Sequence, residues 1–170
     1  MNIHKNNIAY IDAANLHNGI SSLGWKLDYH RFRIWLRDKY DVQIAYLFIG
    51  LIPKNKDLYA YLQKCGFTLI FKEVVYDGAG KAKGNCDADL VLQATQDAYE
   101  TDFDQTLLVT SDGDYAPLVH FLMNRNKMKA VLSPSTPSKC SILLKRTNVR
   151  IAYMNDQRTL LEIQNKKSPR

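Results

Sequence analysis

Cysteine is scarce in this chain of 170 residues: Cys65, Cys86 and Cys140 are widely spaced and form no CxxC pair. So small and odd a number excludes a disulfide framework and points to a reducing compartment. Histidine is equally sparse, with four scattered residues, so no Cys/His set for structural zinc is present. No apolar stretch is long enough to cross a bilayer, and Met1 to Asn7 are polar where a signal peptide would carry its apolar segment. A cytoplasmic protein that makes no membrane contact is expected. Internal repeats and linkers are also missing, so a single domain over residues 1–163 is expected, followed by a basic flexible tail at 164–170.

What is present is enough for a core, since 46% of the residues are hydrophobic and a chain of this length can bury a core without staples. The net charge is +6, which attracts polyanions at moderate salt. Against that basic background the acidic residues fall in a few groups.

The apolar pattern gives an alternation of strands and helices. Asn7–Asp12 reads as a buried parallel strand ending in an aspartate, with a helix from about Asn15. A helix over Leu27–Tyr40 with Asp28 as its N-cap leads to a strand at Val42–Ile49. A helix starting near Pro53 stops at Gly66, and Phe67–Val75 is the third strand. Tyr76–Gly84, with three glycines, two lysines and no apolar rhythm, reads as a mobile loop. Asp87 opens a helix carrying Leu90, Val91, Ala94 and Ala98 on one side. Strands at Gln105–Thr110, Lys129–Leu132 and Val149–Tyr153, with helices at Tyr115–Asn126 and Ser138–Arg146, complete the chain. This order predicts an α/β fold of three layers, a mainly parallel central sheet of five to six strands with helices on both faces.

In such sheets ligands bind at the carboxyl ends of the strands, and the aspartates fall there. Asp12 ends the first strand, Asp87 begins the helix after the third, and Asp112 and Asp114 follow the fourth. Taken singly, each has an ordinary structural role: Asp12 as a helix cap, Asp112-Gly113-Asp114 as a turn. Asp89, two residues beyond Asp87, is either a water-mediated metal contact or a first-turn acid facing the helix dipole. Taken together, the carboxylates repel one another unless a cation or protons neutralise them. Carboxylate and amide oxygens suit Mg²⁺ or Mn²⁺.

Ile11-Asp12-Ala13-Ala14-Asn15-Leu16, Lys83-Gly84-Asn85-Cys86-Asp87-Ala88-Asp89-Leu90 and Thr110-Ser111-Asp112-Gly113-Asp114-Tyr115-Ala116-Pro117-Leu118, in that order, resemble the NYN domains of the LabA-like group within the PIN-like nucleases. The resemblance covers roughly Asn7 to Tyr153. It implies a Rossmannoid, PIN-like fold, an acidic pocket for Mg²⁺ or Mn²⁺, and RNA as substrate. It also implies a catalytic set of Asp12, Asn15, Asp87, Asp112 and Asp114, with the four aspartates as metal ligands. Ser111 stands where many relatives have glycine, and the additional C-terminal domain of some relatives is not expected here.

On that reading Asp12, Asp87 and Asp112 hold the metal, Asp114 holds a water or acts as base, and Asn15 positions a ligand or water. Thr110 and Ser111 are secondary candidates for a phosphate contact, and Lys81, Lys83 and Tyr76 for RNA binding. The basic second half (Arg125, Lys127, Lys129, Lys145, Arg146 and Arg150) either tracks phosphates or forms solvated helix faces. PIN-like domains often pair, so a homodimer is a further expectation. Trp25 and Trp35 are expected to pack in the core.

The rival functions are a non-cleaving RNA- or protein-binding module and a nucleotide phosphohydrolase. A receiver-like domain is disfavoured because Ile49-Gly50 ends the second strand without an acceptor aspartate. Gly78 to Gly84 lacks the Gly-Lys-Ser/Thr ending of a phosphate loop, which disfavours an ATPase.

Overall fold

The fold is described from a computed structural model covering residues 5–164. Residues 1–4 and 165–170, which include nearly all of the expected tail, lie outside the described residues.

The first strand, β1 (Asn7–Asp12), is buried at every position. Its side chains alternate between two cores, Ala9 and Ile11 on one side and Ile8 and Tyr10 on the other, because successive Cβ atoms point to opposite faces of a sheet. Helix α1 (Ala13–Ser22) follows at once, and α2 (Tyr29–Tyr40) starts where the Asp28 carboxylate accepts the Arg31 N–H at 3.1 Å. Asp41, in the left-handed region at φ 55°, ends α2 and turns the chain into β2 (Val42–Leu51). A short turn at Pro53–Asn55 leads to α3 (Lys56–Lys64), and Gly66 at φ 96° redirects the chain into β3 (Thr68–Glu73).

Val75, expected to end the third strand, and the residues expected to form a mobile loop make instead a two-stranded antiparallel hairpin, β4 (Val75–Tyr76) with β5 (Ala82–Lys83). The Asp77 carboxylate holds its turn by accepting the N–H groups of Ala79 at 3.0 Å and Lys81 at 2.9 Å, as aspartates do in tight turns. Strands of two residues are too short to show an apolar alternation, which is why the sequence carried no sign of them.

The chain continues through α4 (Asp87–Glu100), β6 (Thr106–Val109), α5 (Ala116–Asn124), β7 (Met128–Ser133), α6 (Ile142–Arg146) and β8 (Ile151–Tyr153). Helix α6 is shorter than expected because Ser141 caps it, accepting the Leu143 N–H at 3.2 Å, while residues before it form a turn on the Thr136 carbonyl. A short turn at Met154–Gln157 and α7 (Arg158–Leu161), absent from the expected elements, bring Met154 and Leu161 into the first core.

Six strands form an all-parallel sheet in the order β3-β2-β1-β6-β7-β8. Helices α1, α2, α3 and α7 cover one face, with Leu16, Phe32, Leu62 and Leu161 inside; α4, α5 and α6 cover the other, with Leu90, Leu118 and Leu144 inside. Trp25 is buried, as expected, whereas Trp35 only packs against the margin of the core. No helix among the described residues is long and apolar enough to cross a membrane.

Polar groups fix the central strand. Asn7 donates through Nδ2 to the Tyr40 carbonyl at 2.6 Å and accepts the Gln105 N–H at 3.0 Å, so one side chain ties the start of β1 to the end of α2 and to the residue before Thr106. The Tyr10 hydroxyl donates to the buried Asp97 at 2.7 Å, and Gln93 supplies a second donor at 2.9 Å. These bonds satisfy most of what the carboxylate needs within the core and lock α4 against β1.

Helix α1 lies so close to the turn after β7 that a Cβ on Gly19 would collide with the Pro134 carbonyl. Helix propensity alone would make Gly19→Ala stabilising by about 1 kcal/mol. Overpacking against a fixed backbone oxygen costs roughly 1–3 kcal/mol, so the net prediction is a loss of stability. A urea midpoint for Gly19→Ala at or above that of the wild type would contradict this packing.

Candidate metal centre

Strand β1 lies between β2 and β6, and the chain leaves β1 toward one face and β6 toward the other. That divergence opens a crevice at the carboxyl edge of the sheet. Three segments deliver acids to it: the end of β1 with Asp12, the first turn of α4 with Asp87, and the turn after β6 with Asp112 and Asp114.

Asp87, Asp112 and Asp114 each offer a carboxylate oxygen, all within 4.8 Å of one another. Asp12 stands deeper, 7% exposed, and joins the others through Tyr115. The Tyr115 hydroxyl donates to Asp87 Oδ1 at 2.7 Å and also lies 3.2 Å from Asp12 Oδ2. It has only one proton to donate, so the second contact needs either a proton on Asp12 or a nearby cation.

Burial, and then the neighbouring Asp87 and Asp112 charges, push the Asp12 carboxyl above its ordinary range, while the Asn15 N–H bonded to Oδ1 at 3.0 Å pulls it back. The phenol of Tyr115 is pushed up by burial and by the Asp12 charge, so it stays neutral.

The other acids are held by local geometry. Asp87 and Asn85 grip each other: the Asp87 N–H donates to Asn85 Oδ1 at 2.7 Å, and Asn85 Nδ2 donates to Asp87 Oδ2 at 2.8 Å. Asp112 Oδ1 accepts the Asp114 N–H at 3.0 Å, and its own N–H donates to Thr110 Oγ1 at 3.1 Å. Gly113 separates the pair because any Cβ there would strike the Ser141 hydroxyl. Asn15 Oδ1 accepts the Ser111 N–H at 2.8 Å, which fastens the start of α1 to the turn bearing Asp112.

The expected site residues therefore separate into groups. Asp12, Asn15, Asp87, Ser111 and Asp112 line one cleft of about 1170 Å³, and Asp114 joins their rim through the carboxylate cluster. Asp89 turns instead to β3 and pairs with Lys72 at 2.8 Å. Thr110 is fully buried, with its hydroxyl engaged by the Asp112 N–H. Tyr76 is 62% exposed on the hairpin, and Lys83 Nζ lies 4.0 Å from Asp77; Tyr76, Lys81 and Lys83 are outside the lining of the cleft.

Two contributors escaped the sequence reading. Tyr115 looked like the first residue of a helix, and only the tertiary fold turns its hydroxyl back to β1. Asn85 left a faint signal, an asparagine two residues before the aspartate that begins a helix.

The donor set fits a hard, oxygen-seeking divalent cation. Cys86, whose thiol is pushed up to about 11, chiefly by burial and then by Asp12, is not part of the carboxylate cluster, and hard carboxylate oxygens suit such a cation better than a soft sulfur. No histidine is in the carboxylate cluster.

The profile of the NYN domain family matches residues 7–160 of this chain. A crystal structure of a protein of unknown function from Vibrio parahaemolyticus is similar, at a TM-score of 0.75 and 25% identity, over 95% of this chain and 99% of that one. A search of the curated proteins gives no match.

The raised Asp12 carboxyl has a consequence for stability. The folded state holds that proton more tightly than the unfolded chain does, so stability falls as pH rises from the ordinary carboxylate range through the folded value. Asparagine keeps an oxygen to cap α1 and carries no charge. In chelator at neutral pH, Asp12→Asn should therefore melt at a higher temperature than the wild type, and the gain should shrink on acidification. An unchanged or lower melting temperature at neutral pH would contradict the burial of a charge at this position.

Proposed function

This chain belongs to the NYN domain family, and from that membership together with its acidic rim we propose that it is a Mg²⁺- or Mn²⁺-dependent ribonuclease. The observation that carries the reading is the set of carboxylate oxygens of Asp87, Asp112 and Asp114 within 4.8 Å of one another, joined to Asp12 through Tyr115. Four acids so close on a chain of net charge +6 suit a cation shared with a phosphate better than they suit a purely structural cluster.

A divalent cation bound there supplies charge neutralisation at the phosphate and lowers the pKa of an attacking water. Asp12, Asp87 and Asp112 hold it, Asp12 and Asp87 being kept in register by the Tyr115 hydroxyl. Asp114, the exposed member, orients the attacking water or accepts its proton. Asn15 sets the Ser111 turn, and through it the position of Asp112. Lys81 and Lys83 on the hairpin grip the RNA backbone beyond the cleft. Asp89 stays with Lys72 and contributes to the placement of α4.

Purified protein incubated with mixed single-stranded and structured RNA should cut it in Mn²⁺ or Mg²⁺ and not in chelator. Asp112→Asn and Asp12→Asn should each reduce cleavage by a factor of 10² or more, an order-of-magnitude expectation for loss of a ligand charge, while melting cooperatively. Unchanged rates in both variants would refute the site. An intact fold that binds Mn²⁺ but never cuts would favour a non-cleaving RNA-binding module.

Lys83→Ala should weaken RNA binding and lower the slope of log affinity against log salt by about 1. A slope equal to that of the wild type would remove Lys83 from the phosphate path.

A further inference from the structure

The parallel sheet ends differently on its two sides. At one edge β8 is three residues long, short enough to offer little to a passing strand. At the other, β3 runs for six residues, Thr68–Glu73, in unbroken register with β2. It holds no proline and no bulge, and its one lysine, Lys72, is turned to Asp89 on α4 at 2.8 Å. The usual guards of an edge strand are therefore missing from it. Every second residue of β3 turns its N–H and C=O away from β2, and among the described residues no backbone group outside β2 bonds to them. Apolar surface lies open here as well. Phe71 is 43% exposed although its ring meets Tyr59 at 4.9 Å, and Leu51, at the end of β2, is 46% exposed.

We propose that two copies of this chain join edge to edge along β3, antiparallel about a two-fold axis through Ile70. Such an axis keeps each side chain on its own face of the sheet, so only positions an even number of residues apart can oppose each other. Centred on Ile70, Ile70 meets itself, Leu69 meets Phe71 and Thr68 meets Lys72. Apolar side chains then oppose apolar ones at every central position, the kind of cross-strand pair that stabilises a sheet. Centred on Phe71 instead, the strand would set Ile70 against Lys72 and Leu69 against Glu73.

Charge selects the same register. Glu73 shares a face with Leu69 and Phe71, and across the axis it falls opposite Phe67, beside Gly66. The Gly66 carbonyl accepts from the Arg33 guanidinium at 3.0 Å, and the other bonds of that guanidinium go to the carbonyls of Val42 and Gln43. Glu73 is exposed, and neither it nor Arg33 has a partner of opposite charge among the described residues. The two-fold brings that acid to that guanidinium twice. A match of the strand with itself, in apolar pairs and in charge, favours a second copy over a strand of another protein. Pairing also gives the open backbone groups of β3 their partners and joins the two six-stranded sheets into one. The strands of the two copies run in opposite directions, so the two acidic rims lie at opposite ends of the joined sheet and both stay open.

Sedimentation equilibrium of the full chain in chelator, from micromolar to sub-millimolar concentration, should show a reversible dimer. Thr68→Lys, at an exposed position, sets like charges against each other twice and should weaken the dimer about tenfold, whereas Thr68→Glu should strengthen it. Glu73→Lys turns both contacts with Arg33 repulsive and should weaken it by a similar factor. Thermal melts check that each variant folds. Hydrogen exchange over residues 68–73 should slow as the wild type is concentrated.

A chain that stays monomeric throughout would overturn the proposal and leave the edge to a strand of another protein. A dimer indifferent to both Thr68→Lys and Glu73→Lys, or one whose β3 amides exchange equally fast at every concentration, joins through another surface and would also overturn it. None of these outcomes bears on the acidic rim, whose Mn²⁺ binding Thr68→Lys should leave unchanged.

Discussion

The mutual repulsion of four carboxylates at one edge of the sheet is the constraint around which the site is built. One phenol proton cannot satisfy both Asp12 and Asp87, yet Tyr115 touches both. The remaining bonds to the acids come largely from neutral groups: the Asn15 and Asp114 N–H groups and the Asn85 amide. Neutral dipoles orient a carboxylate without cancelling its charge, so the rim keeps its charge for a cation from outside. Lysine or arginine partners would have stabilised the apo fold and spoiled the site. Asp89, which does have Lys72 as a partner, is the acid that stands apart from the cluster.

Holding unneutralised acids together demands a rigid frame, and the frame depends on close approach of backbones. Gly113 lets the Asp112–Asp114 turn lie against the cap of α6, and Gly19 lets α1 lie against the turn after β7. Gly50 and Gly84 flank Val74, where an added Cβ would come within 2.8 Å and 2.9 Å of its side chain, so the hairpin folds back on the end of β2. Through Gly84 that hairpin sets where Asn85 and Asp87 begin α4. The sheet supplies the edge, and these contacts supply the position of each acid on it.

Much of this was legible in the sequence, for reasons that can be named. β1 and β6 are buried at every position and β2 runs for ten residues, so their apolar runs stand out, and the acids after β1 and β6 follow from the topology. The caps at Asp28 and the stop at Gly66 are written in residue chemistry. What was hidden depended on contacts between distant segments: the hydroxyl of Tyr115 on Asp12, 103 residues earlier in the chain, and the salt bridge that draws Asp89 to β3. Two-residue strands and the short C-terminal helix carry too few residues for a periodic signal.

The central claim is that the acidic rim holds a divalent cation, and crystals grown or soaked in Mn²⁺ test it most directly through anomalous scattering. The account predicts an anomalous peak within bonding distance of carboxylate oxygens of Asp87 and Asp112, lost in Asp112→Asn. A wild-type crystal with no peak at the rim in saturating Mn²⁺, and the four carboxylates bonded only to protein groups, would contradict it.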